Sequence, residues 1–473
     1  MLNMQIKLQE KHEISPYLYM QFMEPLGVAD PSMDAAWDYE EKDWFPCVID
    51  AVRDLHPTMV RFGGTMIDYY HWQEAVGPVR TPMINHCWGG IYSNHAGTHE
   101  VMNFCRRVEA EPLLLVNMES DGFENWARPK NDTLRLGTAE EAAAWVRYCN
   151  HPTDPLRLTH GVKAPYQVKY WQLGNETSYR IRGNTGFTVD QCYEVTARFA
   201  EAMRKADPDL TLIGWGDKDY EGKSWMKKMS GLDGVEMLAF HHHFGSGLPD
   251  SPLHGIAYRE DMDLTWAHLM NAHKSLDEHI RLLRSECGNK RLAMTEGHFA
   301  LPGRNRNEVL SSWAAGVAYA RCLNVIMRHS DVIDIATMAD FFGTVWQVNA
   351  MMLPAPIFGD KKPYLQPVGA VMRLFGKYQG KYALDCDCNS VVDAVASRTG
   401  NKIYVHMANT DMHAAQRISL NMGEKARMHF IAADPRTEIT PDHADVFQVE
   451  TVEIDPRDFV LPAAAVAALE MDI

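Results

Sequence analysis

Eight short apolar runs, each followed by a stretch of helical character, constrain this chain more than any other feature. They lie at 16–24, 59–64, 112–118, 168–176, 210–216, 235–244, 291–299 and 331–342. Most are continuously apolar rather than alternating, which suits strands buried on both faces of a parallel sheet. Between them, helical spacing of apolar residues predicts helices over 98–108, 138–149, 188–206 and 307–328. Thr138 followed by acids reads as a helix N-terminus, and Asp207-Pro208-Asp209 reads as a stop. Strand–helix alternation repeated eight times predicts an α/β fold, a (β/α)8 TIM barrel. The rival is an open doubly wound sheet, and no Gly-rich phosphate loop supports it.

After about residue 360 the character changes. Short strand-like runs at 391–397, 402–407, 416–420, 428–432 and 446–454 follow one another across turn signals, with no crossover helix between them. This predicts an all-β sandwich domain, which the N-terminal strand 4–8 is expected to join. The expected division is a barrel over 14–360 and a C-terminal sandwich over 361–473 that takes in residues 1–13. A chain of 473 residues has room for both.

The balance of charge narrows the function classes. A net charge of −16 without a Lys/Arg block argues against a nucleic-acid partner. The first residues lack an apolar stretch of signal-peptide length, and no run of eighteen apolar residues occurs. No membrane association is therefore expected, and a cytoplasmic location is. Nine scattered cysteines, an odd number, read as reduced thiols. Cys386 and Cys388 lack a second pair at zinc-ligand spacing.

Barrel sites form at the C-terminal ends of strands, so carboxylates there carry the functional question. Glu176 ends the run KYWQLGNE at 169–176, on the fourth strand, and Glu296 sits in AMTEGH at 293–298, on the seventh. Two carboxylates facing each other across a barrel mouth suit glycoside hydrolysis, and a retaining mechanism needs them about 5–5.5 Å apart. A glutamate near a strand end is more often an ion-pair partner. Here an amide directly precedes one acid, and the other lies on an otherwise apolar strand, where an unpaired charge is costly. His241 and His243 share one face of the sixth strand. A metal site there would need a third ligand, for which His298 or Asp340 could serve. Hydrogen bonding to substrate or nucleophile is the other reading of the same face.

On these residues the chain resembles glycoside hydrolase family 51, the α-L-arabinofuranosidases, from residue 14 to about 420. KYWQLGNE looks like the family's acid/base motif, and ISPYLYMQFMEPLG at 14–27 resembles its first-strand motif. RFGG from Arg61, then HWQEAVGP from His71, resembles the second-strand segment. The segment from Leu323 to Val332 matches the approach to strand eight. The resemblance implies Glu176 as general acid/base, Glu296 as nucleophile, Asn175 on the sugar 2-hydroxyl and Glu24 as a sugar-binding carboxylate. Arg61 would lie beneath the nucleophile and hold it ionised, and Asn117 is similar to a third-strand position. Thr65, Trp72, His241, His243, His298 and Asp340 are further candidates for the substrate pocket.

The sequence departs from the family pattern at Pro25 (usually His), Thr65 (Asn), Gly297-His298 (Trp-Asn), His243 (a Tyr that hydrogen-bonds the nucleophile) and Asp340 (Gln). The activity implied is a retaining, exo-acting α-L-arabinofuranosidase acting on oligosaccharides without a cofactor, in a homo-oligomer, commonly a hexamer. Alternatives are a clan relative of other specificity (β-xylosidase, endo-β-glucanase or another furanosidase), a metal-dependent hydrolase built on the histidines, and a non-catalytic carbohydrate-binding protein.

Overall fold

The structure is a computed structural model, described for residues 1–120, 136–179, 187–219, 221–301, 307–354, 362–387 and 391–473. Eight parallel strands form its centre: β1 (Gln21–Met23), β2 (Met59–Phe62), β3 (Glu111–Val116), β4 (Tyr170–Leu173), β5 (Thr211–Trp215), β6 (Met237–Phe244), β7 (Arg291–Phe299) and β8 (Ile333–Ala336). Each pairs with the next in chain order. The sheet closes on itself where Met20 N donates to the Ala336 carbonyl (2.9 Å) and Ala336 N to the Tyr17 carbonyl (3.0 Å). The strand Asp340–Gly343 continues past β8 and pairs with β1 at Phe22. This is a closed (β/α)8 barrel, and the continuous apolarity of the runs follows from strands buried inside and out.

The barrel helices are α1 (Pro46–Leu55), α2 (Thr98–Val108), α3 (Ala139–Asn150), α4 (Val189–Ala206), the single turn α5 (Met226–Met229), α6 (His273–Glu286), α7 (Trp313–Arg328) and α8 (Pro367–Lys377). Helices α3 and α4 begin one residue after their threonines because Thr138 and Thr188 are N-caps, accepting from Glu141 N and Gln191 N. Helix α7 starts later than expected. Residues Glu308–Ser311 form a 3-10 turn and Ser312 is extended, so the chain re-enters the helix at Trp313. Helix α8, with Pro367 at its first position, packs on α1 and α7 and closes the barrel's outer ring past residue 360, a position outside the described residues.

The β-sandwich has a seven-stranded antiparallel sheet ordered Ile6–Glu13, Tyr382–Cys386, Val392–Thr399, Lys402–Asn409, Val466–Asp472, Ala426–Ile431 and Glu450–Ile454. Leu2–Met4, Gln416–Leu420 and Phe459–Leu461 form a smaller sheet against it. Met4, Val405, Met407, Ile418, Leu461 and Leu469 belong to its separate apolar core. Asp393 ties the sandwich to the barrel by accepting from Arg321, Asn324 and Arg328 of α7. No helix among the described residues is long and apolar enough to cross a membrane.

Candidate active site

The end of β4 turns sharply. Gly174 and Glu176 both adopt left-handed backbone, with φ of 70° and 49°. A left-handed conformation is costly for a glutamate, and its persistence marks a place where the surroundings dictate the backbone. Tyr179 N donates to the Glu176 carbonyl (2.8 Å), closing the turn. Burial pushes the Glu176 carboxyl up to about 7, with the charge of Asp217 adding to the rise and Arg61 opposing it.

On β7 the pairing with β6 slips by one residue. Phe240 sits opposite Met294 but His241 opposite Glu296, leaving Thr295 as a bulge. A bulge brings adjacent side chains toward the same side. Here both reach one imidazole: Thr295 Oγ1 lies 3.0 Å from His241 Nε2, and Glu296 Oε2 lies 3.5 Å from His241 Nδ1. The same Nδ1 is 2.9 Å from Glu176 Oε1, so His241 bridges the two acids. Burial holds His241 down at about 4, so it is a neutral donor at ordinary pH. One ligand atom each of Glu176, Glu296 and His243 falls within 4.8 Å of the others.

Arg61, fully buried on β2, organises the floor. Its Nη1 donates to Glu296 Oε1 (2.8 Å), its Nη2 to Asn175 Oδ1 (2.6 Å) and its Nε to Gln172 Oε1 (3.1 Å). The guanidinium thus sets a fixed positive charge against one oxygen of Glu296. Because Asn175 gives its oxygen to Arg61, its Nδ2 is left buried without a partner among the described residues. Asn117, just past β3, repeats this: Oδ1 accepts from Ser120 N (2.9 Å) while Nδ2 has no partner among the described residues. Glu24 Oε1 accepts from Met66 N (2.7 Å) and Trp88 Nε1 (3.2 Å). Gly64 must stay a glycine there, since a Cβ would sit 2.3 Å from Glu24 Oε2. Burial, with the Glu296 charge second, pushes Glu24 up to about 8. Asp340 is buried with Oδ1 unpartnered, and burial lifts it to about 6.

Several candidates stand elsewhere than expected. Trp72 is a packing residue: its indole N–H donates to the Glu141 carbonyl (3.0 Å), and its ring stacks on Trp145 at 6.0 Å between centroids. The 3-10 turn Trp72–Ala75 aims it at α3, behind the barrel wall. His243 does not hydrogen-bond Glu296. Its Nε2 is 3.9 Å from Glu296 Oε2, and its ring packs on His298 at 4.5 Å. His298 Nε2 is 3.8 Å from Asp340 Oδ1, while its Nδ1 meets the Phe299 carbonyl at 2.8 Å. Thr65 pairs with the Cys87 thiol at the same rim. Gly297 cannot carry a side chain, because a Cβ would meet the Thr337 carbonyl at 2.8 Å.

Sequence reasoning missed Gln172, Trp88 and Asp217. Asp217 follows β5 at the barrel mouth and is fully buried, so its position at a strand end was the available signal. It accepts from the main chain of His241 (3.1 Å) and from the hydroxyl of Tyr179. Among the described residues, Glu176, His243 and Glu296 are the one group able to converge on a metal ion. Arg61 on Glu296 opposes a cation there, and His241 already holds Oε1 of Glu176. The convergence of a carboxylate pair, one cation and unpartnered amides suits a neutral polyhydroxylated substrate.

The model of the alpha-L-arabinofuranosidase 1 domain matches residues 51–247. An intracellular exo-alpha-L-arabinofuranosidase of Bacteroides ovatus is 26% identical over 454 residues, covering 88% of this chain and 83% of that protein. The alpha-L-arabinofuranosidase structure from Thermotoga maritima, in complex with arabinose, superposes with a TM-score of 0.79 at 20% identity over 100% of both chains. The GH51 arabinofuranosidase from Xanthomonas axonopodis pv. citri gives 0.80 at 21% identity over 99% of each.

Proposed function

We propose that this chain, a glycoside hydrolase that belongs with the family 51 α-L-arabinofuranosidases, releases terminal arabinofuranose from oligosaccharides by a retaining double displacement. The observation that carries the reading is the carboxylate pair. Oxygens of Glu176 and Glu296 come within 4.8 Å, near the 5–5.5 Å that a covalent glycosyl intermediate requires and short of the 6.5–9.5 Å of inverting enzymes.

In this mechanism Glu296, ionised beside Arg61, attacks the anomeric carbon. Glu176, raised to about 7, starts protonated and gives its proton to the leaving oxygen. Once the ester to Glu296 has formed, Glu176 takes a proton from water, and the hydroxide displaces Glu296 with overall retention. The free N–H groups of Asn117 and Asn175 donate to sugar hydroxyls, and the open oxygen of Asp340 accepts from one. Glu24, protonated at neutral pH, donates through its carboxyl O–H. The relatives' activities support the sugar and the exo action, and the intracellular relative fits a cytoplasmic role on short oligosaccharides. The enzyme is expected to assemble as a homo-oligomer, which light scattering counts directly.

Proton NMR of the first-formed product tests the reaction. Retention at the anomeric carbon supports the reading, and inversion overturns the nucleophile assignment. A panel of aryl glycosides tests the sugar. Faster turnover of a xylopyranoside than of the α-L-arabinofuranoside would move the specificity and leave the mechanism in place.

A further inference from the structure

On the outer face of β6, opposite the two histidines that look into the barrel, His242 begins a buried chain that ends behind the acid/base. Ser275 Oγ lies 3.0 Å from the Ala272 carbonyl oxygen and 3.2 Å from His242 Nε2; His242 Nδ1 lies 2.9 Å from His279 Nδ1, and His279 Nε2 lies 2.9 Å from Asp217 Oδ1. All three ionisable members are at least nine-tenths buried. The Asp217 end, a carboxylate, only accepts. One proton per member fills the chain: Ser275 to His242 Nε2, His242 Nδ1 to His279 Nδ1, and His279 Nε2 to the Asp217 carboxylate. Asp217 Oδ1 is thus held by the N–H of His279.

The other oxygen of Asp217 faces the site. It takes the His241 main-chain N–H at 3.1 Å and the Tyr179 hydroxyl. Tyr179 closes the left-handed turn at Glu176, and His241 holds the Glu176 carboxyl. We propose that Asp217, held in place by the N–H of His279, is the positioning residue for the acid/base, setting both the backbone turn and the imidazole that hold Glu176. The groups facing Asp217 are His241 and His242 of β6, His279 of α6, Lys218 N beside it, and Tyr179 in the loop after β4. Its negative charge also keeps the Glu176 proton in place.

The proposal rests on Glu176 as acid/base, so its test reads leaving-group dependence. General acid help matters for an alkoxide leaving group and little for a nitrophenolate. The full-length enzyme and Asp217→Asn are assayed on arabinobiose and on 4-nitrophenyl α-L-arabinofuranoside across pH. The expected result is a kcat/KM loss of roughly 100-fold on arabinobiose against about threefold on the nitrophenyl substrate. The alkaline limb should also move to lower pH, because removing the Asp217 charge eases ionisation of Glu176. Equal losses on both substrates with an unmoved limb would mean a merely structural role and overturn the proposal.

Should Asp217→Asn fail to fold, His279→Leu removes the donor that holds Asp217 Oδ1. It should show the same selective loss at roughly tenfold, and no selectivity overturns the proposal. Ring-nitrogen NMR of the wild-type enzyme should find His279 Nε2 protonated; a bare Nε2 contradicts the assignment. Wild-type turnover of both arabinofuranosides keeps the functional reading intact whatever the variants do. Wild-type inactivity on both, with cleavage of another sugar, counts against that reading alone, and the same pair of aglycones on that sugar then decides the proposal.

Discussion

Two buried aspartates show how differently this molecule treats charge at its junction and at its mouth. Asp393, where the sandwich meets α7, receives Arg321, Asn324 and Arg328. Asp340, at the mouth, is as deeply buried, yet one oxygen has no partner and the nearest cationic candidate, His298, stays 3.8 Å away. A buried carboxylate without a partner costs stability and is retained only where something else occupies its lone pairs. Asp393 is matched internally, whereas Asp340 and the amides of Asn117 and Asn175 keep open positions among the described residues that the proposed substrate would fill.

Changes at the mouth should therefore cost activity more than stability, and changes at the junction the reverse. The largest effect expected is at the nucleophile: Glu296→Ala lowers kcat by roughly 10⁴-fold or more, and azide restores turnover as a glycosyl azide of inverted configuration. Normal turnover in that variant would break the contrast at its centre. Next, Asp393→Ala strands Arg321 and Arg328 and should cost about 3 kcal/mol in denaturant unfolding with kcat/KM preserved. A loss of activity without loss of stability would reverse the contrast. Asp340→Asn should lower kcat/KM on the best arabinofuranoside by about tenfold, about 1.4 kcal/mol of transition-state binding, while leaving Tm level or higher. An unchanged kcat/KM would remove Asp340 from the sugar pocket.

The smallest effect concerns pH. A carboxyl raised in the folded protein favours the protonated form, so its contribution is complete below the unfolded value and is lost as pH rises through the folded one. For Glu176, raised to about 7, the loss runs from the ordinary carboxyl range up past neutrality. Glu176→Gln should thus raise Tm by roughly 2 °C at pH 8 and leave it unchanged near pH 4. A difference of equal size at both pH values would point to packing instead of charge. In the active enzyme the same titration sets the alkaline limb of kcat/KM near 7, since the acid is lost as Glu176 ionises.

The barrel was legible because its signals are local. Each strand is a continuous apolar run, and Thr138 and Thr188 mark two helix starts. The acid pair was legible because charges on apolar strand ends stand out. What escaped depended on distant context. Val466–Asp472 (VAALEMD) is made largely of helix formers, yet it is a central strand, paired on both sides by Lys402–Asn409 and Ala426–Ile431. Helix α8 carries two glycines and two valines, weak helical signals that packing on α7 overrides. Trp72 sits beside a binding segment in sequence but faces α3. The bulge at Thr295 made His241, rather than His243, the bridge between the acids, and strand alternation alone could not reveal a one-residue slip. Asp217 and His279 lie 62 residues apart, so only the fold brings them together.

The central claim is that Glu296 becomes covalently bound to the sugar while Glu176 manages the proton. Mass mapping of the enzyme inactivated by a 2-deoxy-2-fluoro-arabinofuranosyl donor with an activated leaving group tests this most directly. The account predicts a single glycosyl adduct on the peptide that contains Glu296. An adduct on Glu176 or Glu24, or steady turnover of the donor with none formed, would contradict it.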